Sequence, residues 1–592
     1  MFEFCFRELE VSDTFKECRP FFGVDEDDRY SGWVIEGVSI RTAPVIADGD
    51  VCDPFISFVC AGVTGRRDLI PVGGNRLYHT RQPISIHQTM DKETEAAPST
   101  STPQDKKPAT ASSDKKSFGR DVGKLASGTI IAQAIGLLAY PIITRLYGTE
   151  TYGTFSVFLS IVSILTTIVC LRYEQAILLP ENDKDGGAIF IACIAIAFVF
   201  SLVCLPIVLI FGEQISDLFN APGLSMWLAF VPLVVLIDGL YMALRFWNTR
   251  RRRFGTQAST QALQTFSGSV FKVGFGGFGW LSAGALIASQ IIGQGFGLVI
   301  LGLQALRYDF VLLRHSLSLS NIKKQIVRYH KFPKIDMWSM LMHNISWQLP
   351  VLMLTSFFSA SVAGLYAIGH TVIQTPLSLI GGSIGQVYFQ RASKARLDGT
   401  IGRFTEDIVE LMMFLALVPL MVLMVMGGDL FALVFGSEWF EGGVYVQILA
   451  VWAILWFISY PIGNATSVLE IQEYRFRYTV ANLITRFLAL FIGGYFQNVY
   501  LAMMLFALFG IMTYGYLFYA IFKHSNASFR RVLYDTRKTL AFCAGYVIIA
   551  AVLLYVLHVN FFVVLGLTVA SAAGYYLVLL KTNKKVKEYL PI

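Results

Sequence analysis

Between residues 125 and 580 the chain is a succession of apolar runs of about twenty residues or more, joined by short polar segments. A run of that length crosses a hydrocarbon core of about 30 Å as an α-helix, because lipid offers exposed backbone groups no hydrogen-bond partner. The runs fall at 125–144, 152–179, 188–211, 224–247, 260–280, 283–303, 332–357, 362–389, 408–426, 444–469, 478–496, 500–522, 539–557 and 561–580. About fourteen spans and an all-α integral membrane fold are therefore expected. The run at 260–280 is the hardest to see by hydropathy, since it carries Lys272 and five glycines. Composition agrees: 54% of residues are hydrophobic and 15% charged, where soluble domains carry about a quarter charged.

The joints alternate in charge. Those after even spans hold Lys184, the arginines at 250–253, then Arg307, Arg314, Lys323, Lys324, Arg328 and Lys331, and later Arg391, Lys394, Arg396, Arg403, Arg475, Arg477, Lys523, Arg530, Arg531, Arg537 and Lys538. Those after odd spans have Arg145 as their one clear cation and carry Glu213, Asp217, Asp429, Glu438 and Glu441. Lys and Arg gather on the cytoplasmic side of short loops, so the parity predicts a multi-pass protein of the cytoplasmic (inner) membrane with both termini cytoplasmic. A missed or invented span would invert every later joint. The net charge of +7 then describes loops facing anionic lipid, and nucleic acid is not expected as a partner. On this reading Arg251 is a solvated loop cation.

Residues 1–89 show no sustained helical or strand period, and the polar stretch 90–117 reads as a disordered cytoplasmic tail. Met90 directly precedes that tail, which makes 1–89 read either as a mis-assigned start or as a small accessory domain containing Trp33, Phe55 and Phe58.

Much is disfavoured. The eight cysteines have no metal-ligand spacing, and the membrane region has neither a G-x-x-x-x-G-K-[ST] phosphate cradle nor an H-E-x-x-H pair. No metal, no cofactor and no catalytic residue are expected. The longest connection on the cation-poor side, 427–443, is too short for a catalytic domain. That argues against a membrane glycosyltransferase or polymerase.

Tyr152-Gly153-Thr154-Phe155 opens the second span and Gly364-Leu365-Tyr366-Ala367 the eighth. Similar segments six spans apart are what a parallel internal repeat produces. The segment 118–180, with LASGTIIAQAIGLLAYPIITRLYGTETYGTF and LRYEQAILLP, resembles the polysaccharide exporter or O-antigen (lipid-linked oligosaccharide) flippase family. That family lies in the multidrug/oligosaccharidyl-lipid/polysaccharide flippase superfamily. The motifs are Pro141, Thr144-Arg145-Leu146-Tyr147, Tyr152-Gly153 and Leu171-Arg172-Tyr173-Glu174, with GLYAIGHTVIQTPLSLIGGSIGQVYFQ from Gly364 also similar. The resemblance implies two pseudo-symmetric six-helix lobes, 118–303 and 332–522, around a cavity open alternately to each side. A basic loop at 304–331 would join them, and 523–592 would hold an extra helix pair and a basic tail. It further implies translocation of an undecaprenyl-diphosphate-linked oligosaccharide repeat unit for O-antigen, capsule or exopolysaccharide, with a polymerase and a chain-length regulator as pathway partners. A cation-coupled multidrug exporter is the alternative.

An ionisable group at mid-membrane costs about 2.5–3.5 kcal/mol on insertion scales and so tends to face a protein interior or a wet cavity. Lys272 and Arg486 lie on the fifth and eleventh spans, counterparts under the repeat, and are candidates to meet substrate diphosphate; pairing with a neighbouring helix, or snorkelling of Lys272, is the other reading. Arg145 is a candidate to receive an emerging phosphate. Arg172 and Glu174 suit a gate or an interlobe ion pair, although residues two apart on a helix do not face each other. Asp238 and Asp336 are candidate ion-coupling sites. His343, Trp347, Gln348, His370 and Gln374 are candidates to line a sugar path.

Overall fold

The structure, a computed structural model, describes residues 19–25, 28–35, 38–41, 111–221 and 223–582. They belong to two units, Met1–Asp105 and Lys106–Ile592. The first unit contains a three-stranded antiparallel meander, β1 (Arg19–Asp25), β2 (Asp28–Ile35) and β3 (Val38–Arg41). Phe21 pairs with Gly32, and Trp33 with Ile40. This corrects the expectation that 1–89 has no strand period. Aromatic and β-branched residues favour these strands, while Gly23, Gly32 and the flanking aspartates blur the alternation that a sequence reading depends on. Phe55, Phe58 and residues 90–110 lie outside the described residues.

The second unit is helical throughout its described part. Its fourteen long helices are α1 (Ala111–Leu146), α2 (Thr149–Ile168), α3 (Asp183–Leu218), α4 (Val231–Arg250), α5 (Phe254–Gly277), α6 (Ala283–Ser316) and α7 (Met337–Phe357). They continue as α8 (Ala360–Leu397), α9 (Ile401–Phe435), α10 (Phe440–Ile462), α11 (Gln472–Tyr495), α12 (Val499–Ser525), α13 (Phe529–Ala551) and α14 (Phe561–Thr582). Ten are apolar and long enough to cross a membrane. The four that fall short in apolar character, α5, α7, α8 and α11, carry Lys272, His343 with Gln348, His370 with Gln374, and Arg486. Polarity, not length, sets them apart.

The packing repeats with a shift of six helices. In the N-terminal lobe α1 packs on α5, α5 on α6, α3 on α4, α4 on α6 and α2 on α4; in the C-terminal lobe α7 packs on α11, α11 on α12, α9 on α10, α10 on α12 and α8 on α10. Two lobes of one topology follow, as the paired helix starts suggested. The lobes meet chiefly where α2 lies against α8 and α7, and α13 packs on α9.

Three boundaries differ from expectation. The helix of α1 already begins at Ala111, inside the segment expected to be a polar tail. The span expected at 152–179 ends as a helix at Ile168, and the chain turns at Leu171 (φ 50°) and Arg172 (φ 65°) before the single turn Tyr173–Ala176. Two successive left-handed residues with side chains are unfavourable by about 1–2 kcal/mol each, and hydropathy is blind to them because the segment stays apolar. The stretch expected as a basic loop, 304–331, is mostly helix: the end of α6 and a short helix, Leu319–Arg328.

Candidate functional site

The helix α2 packs on two members of its own lobe, α4 and α6, and on two of the other, α7 and α8. Its contacts with the second lobe form a seam whose chemistry changes along its length. For orientation, the end bearing the even-numbered joints is called basic and the other acidic.

At the acidic end α2 and α8 meet backbone to backbone. A Cβ on Gly153 would lie 1.7 Å from the Ala360 carbonyl oxygen, and one on Gly364 would lie 2.3 Å from that of Thr149. Only glycine permits this approach. The Thr149 and Ser361 hydroxyls bond at 2.6 Å beside it. The end of α1 docks on the α9–α10 connection: Trp439 Nε1 donates to the Thr144 carbonyl (3.1 Å), Thr144 Oγ1 to the Phe435 carbonyl (3.2 Å) and Arg145 Nη2 to the Leu433 carbonyl (2.7 Å). Arg145 thus bridges the lobes, with its side chain exposed.

In the middle the seam is polar and neutral. Ser160 Oγ donates to Gln348 Oε1 (3.1 Å), Gln348 Nε2 to Ser163 Oγ (3.0 Å), and Asn344 Nδ2 to the Ser163 carbonyl (2.8 Å) and to Thr167 Oγ1 (2.5 Å). Ser160, Ser163 and Thr167 recur every three or four residues, so they share one face of α2. Sequence reasoning selected Gln348 and missed its partners. The signal was present in that spacing of hydroxyls within an apolar span, and in Asn344 one helical turn before Gln348.

At the basic end the seam is ionic. Arg172 Nε donates to Asp336 Oδ2 across the lobes at 2.8 Å, and Arg172 Nη1 to Glu174 Oε1 at 3.2 Å. The expectation that Arg172 and Glu174 face apart is overturned, because the left-handed turn at Arg172 replaces the helix that would have separated them. Glu174 is 1% exposed. Burial pushes its carboxyl above the ordinary value, against the opposing pull of Arg172. The Tyr173 hydroxyl donates to the Ile326 carbonyl (3.0 Å), and Arg250 Nη1 to the carbonyls of Ile177 (3.0 Å) and Pro180 (2.8 Å), which holds the turn from both sides.

The two counterpart cations sit apart from each other, one in each lobe. Lys272 Nζ lies 5.1 Å from the centre of the Phe155 ring on α2, with no acceptor among the described residues. Arg486 is 3% exposed and enclosed by rings: its Cζ lies 4.4 Å from the Trp347 centroid, 5.3 Å from Phe506 and 6.0 Å from Trp452. Its Nη1 donates to the Ser346 carbonyl (2.9 Å), while its Nη2 has no acceptor among the described residues. His370 stacks between Tyr366 (5.6 Å) and Trp456 (5.6 Å), and Trp347 contacts His343 (6.2 Å) and His370 (5.7 Å). The structure therefore gathers Arg486, Trp347, His343 and His370 into one aromatic cage built by α7, α8, α10, α11 and α12, with Trp452, Trp456 and Phe506 as members that sequence reasoning missed. Gln374 is exposed on α8, and Asp238 is half-buried on α4 without an ion-pair partner among the described residues. The run 381–385 fits the G-x-S-x-G spacing of a nucleophile elbow, but it lies within α8, where Ser383 donates to the Leu379 carbonyl; an elbow requires a strand-to-helix turn.

Arg251 is corrected from solvated cation to part of a charge knot. Asp183 accepts from Arg250 (3.0 Å) and Arg251 (2.6 Å), while Asp309, wholly buried, accepts from Arg251 (3.1 Å), Arg253 (2.6 Å) and Trp247 Nε1 (3.0 Å).

Residues 142–442 match the family described as polysaccharide biosynthesis protein. The chain is 21% identical over 379 residues to the lipopolysaccharide biosynthesis protein WzxC of Escherichia coli, covering 62% of this chain and 73% of that one. It is 22% identical over 353 residues to the succinoglycan biosynthesis transport protein ExoT of Rhizobium meliloti, covering 57% and 66%. Among solved structures it is similar to the lipid II flippase MurJ in an inward closed conformation, with TM-score 0.58, 11% identity, and coverage of 77% of this chain and 98% of that one. It is also similar to an inward-facing multidrug resistance transporter of the MATE family, with TM-score 0.51, 14% identity, and coverage of 68% and 99%. At such identities these two likenesses show the fold alone.

Proposed function

The chain belongs to the polysaccharide biosynthesis protein family of the MOP flippase superfamily, and we propose that it translocates an undecaprenyl-diphosphate-linked oligosaccharide by alternating access. The observation that carries the reading is the seam along α2, held at both ends and hydrogen-bonded by neutral groups between them. Releasing Arg172 from Asp336 opens the basic, cytoplasmic end. Parting Gly153 from Gly364 opens the other. Once the lobes separate, the serine, threonine and amide groups of the middle exchange partners with sugar hydroxyls, a trade of hydrogen bonds that is close to neutral in free energy. Lys272 and Arg486 supply positive potential for the diphosphate, Lys272 the more directly because its ammonium has no acceptor among the described residues. Arg172 and Arg145 meet the phosphates at entry and exit. Trp347, His343, His370, Gln348 and Gln374 serve the sugar. The lipid tail stays in the bilayer, no bond is made or broken, and a polymerase with its chain-length regulator takes the product.

Replacement of Lys272 tests the reading. In proteoliposomes carrying a fluorescent lipid-linked oligosaccharide, Lys272→Gln should slow flipping about tenfold and Lys272→Glu should abolish it, since one lost ionic contact is worth about 1.4–3 kcal/mol. Normal flipping by Lys272→Glu sinks the cationic reading. Efflux of a cationic dye that depends on Asp238, with no oligosaccharide flipping, would instead establish the multidrug exporter.

A further inference from the structure

At the basic end, where the C-terminal lobe meets α13, lies an open cavity of about 570 Å³. Small-ligand sites span about 300–1,000 Å³. It is a built concavity. A Cβ on Gly402, at the start of α9, would lie 2.5 Å from the Ser525 carbonyl oxygen and 2.9 Å from that of Asn526, so the ends of α9 and α12 cross in direct backbone contact. Glu406, 3% exposed, accepts from the Ser528 backbone N–H (2.6 Å) and from Arg531 Nη1 (3.2 Å), which ties α13 to α9.

The charges on its wall do not cancel. Three arginines, Arg396, Arg403 and Arg531, line it against one carboxylate, Glu406. Arg396 donates to the Val468 carbonyl and to Glu470, whose side chain is 72% exposed. A pair so wetted holds its arginine weakly. Arg403 has neither a hydrogen bond nor an ion pair among the described residues. The other arginine cluster of this end, at 250–253, provides the contrast: three of its four guanidiniums are anchored by Asp183 and by the fully buried Asp309. Positive-inside topology alone accounts for cations in both places. It does not account for a concave wall on which Arg403 stands without a counter-charge among the described residues and Arg396 is held only by a wetted carboxylate.

We propose that this basin binds a phosphate group, carried either by an anionic lipid headgroup or by a soluble phosphate compound. Guanidinium groups bind phosphate oxygens through paired N–H donors in a fixed fork, and two of them on one wall can share a single phosphate. The basin lies away from the α2 seam, so the inference stands independently of the transport reading.

The test uses the full-length protein in phosphatidylcholine nanodiscs. One arm adds phosphatidylglycerol and counts lipids retained by native mass spectrometry; the other adds inorganic phosphate, against chloride at equal ionic strength, and follows thermal unfolding. Arg403 is exposed and makes no hydrogen bond or ion pair among the described residues, so Arg403→Gln should leave unfolding without ligand unchanged. It should weaken binding about fivefold, and Arg403→Glu more, as expected for one charge-assisted contact. Lys538→Gln, an exposed cation at the same end and not on the wall, should have no effect. Loss confined to the lipid arm assigns a headgroup, and loss confined to the phosphate arm assigns a soluble ligand. Equal losses in Arg403→Gln and Lys538→Gln would mean diffuse attraction to a basic surface and overturn the proposal, as would unaltered binding by both Arg403 variants.

Discussion

At the acidic end of the seam α2 meets α8 through Gly153 and Gly364, backbone against backbone, whereas at the basic end it meets α7 through Arg172 and Asp336, charge against charge. The first closure has no side chain to adjust and tolerates no added atom. The second tolerates substitution, because Asp336 is 40% exposed and Arg172 keeps Glu174 when Asp336 is lost. Between them the seam is neutral, so on the proposed alternating access neither end would drag a buried charge through the middle. Alternating access needs ends that open separately, and two kinds of contact respond to different forces: the steric end to volume, the ionic end to charge and to the wetting of its rim.

The largest effect is expected from the smallest change. Gly153→Ala puts a carbon where 1.7 Å separates it from a backbone oxygen, and overpacking of this kind costs about 3 kcal/mol, roughly a hundredfold in the closed population. Surface polysaccharide at matched expression should fall to background, and normal export would break the comparison at its steric end. Next comes Asp336→Asn. A partly wetted ion pair is worth about 1 kcal/mol, so the basic end should open about fivefold more often, read as faster maleimide labelling of a cysteine placed at Ser163. Exchanging the charges, Arg172→Asp with Asp336→Arg, should restore the slow rate. The smallest effect belongs to Asn344→Leu. Interhelical hydrogen bonds in membranes average about 0.6 kcal/mol, so flipping should change less than about threefold. A larger loss would move the energetic weight of the seam to its middle.

Much of the fold was legible. The number of long helices follows from hydropathy, and the Gly153 and Gly364 segments, matched by sequence as repeat partners, turn out to touch one another. The candidate site was legible in its residue types and not in its partners. Arg486 was conspicuous as a buried cation, but the three rings closest to it come from α7, α10 and α12, far apart in the chain. The Arg172 turn escaped notice because an apolar segment looks the same to hydropathy whether it is helical or left-handed. Arg251 was misjudged because a cation in a loop is indistinguishable by sequence from one whose carboxylates arrive from α3 and α6.

The sequence by itself determined that this chain is a multi-pass membrane protein of many long helices whose halves are alike, because each depends on local runs of polarity measured against a solvent of known thickness. Tertiary structure alone decided which cations are held by carboxylates, which are caged by rings and which stand free on a cavity wall. The reason is physical: the energy of a buried charge is set by whatever lies within about 4–6 Å, and in a bundle those neighbours are supplied by helices that hydropathy cannot order.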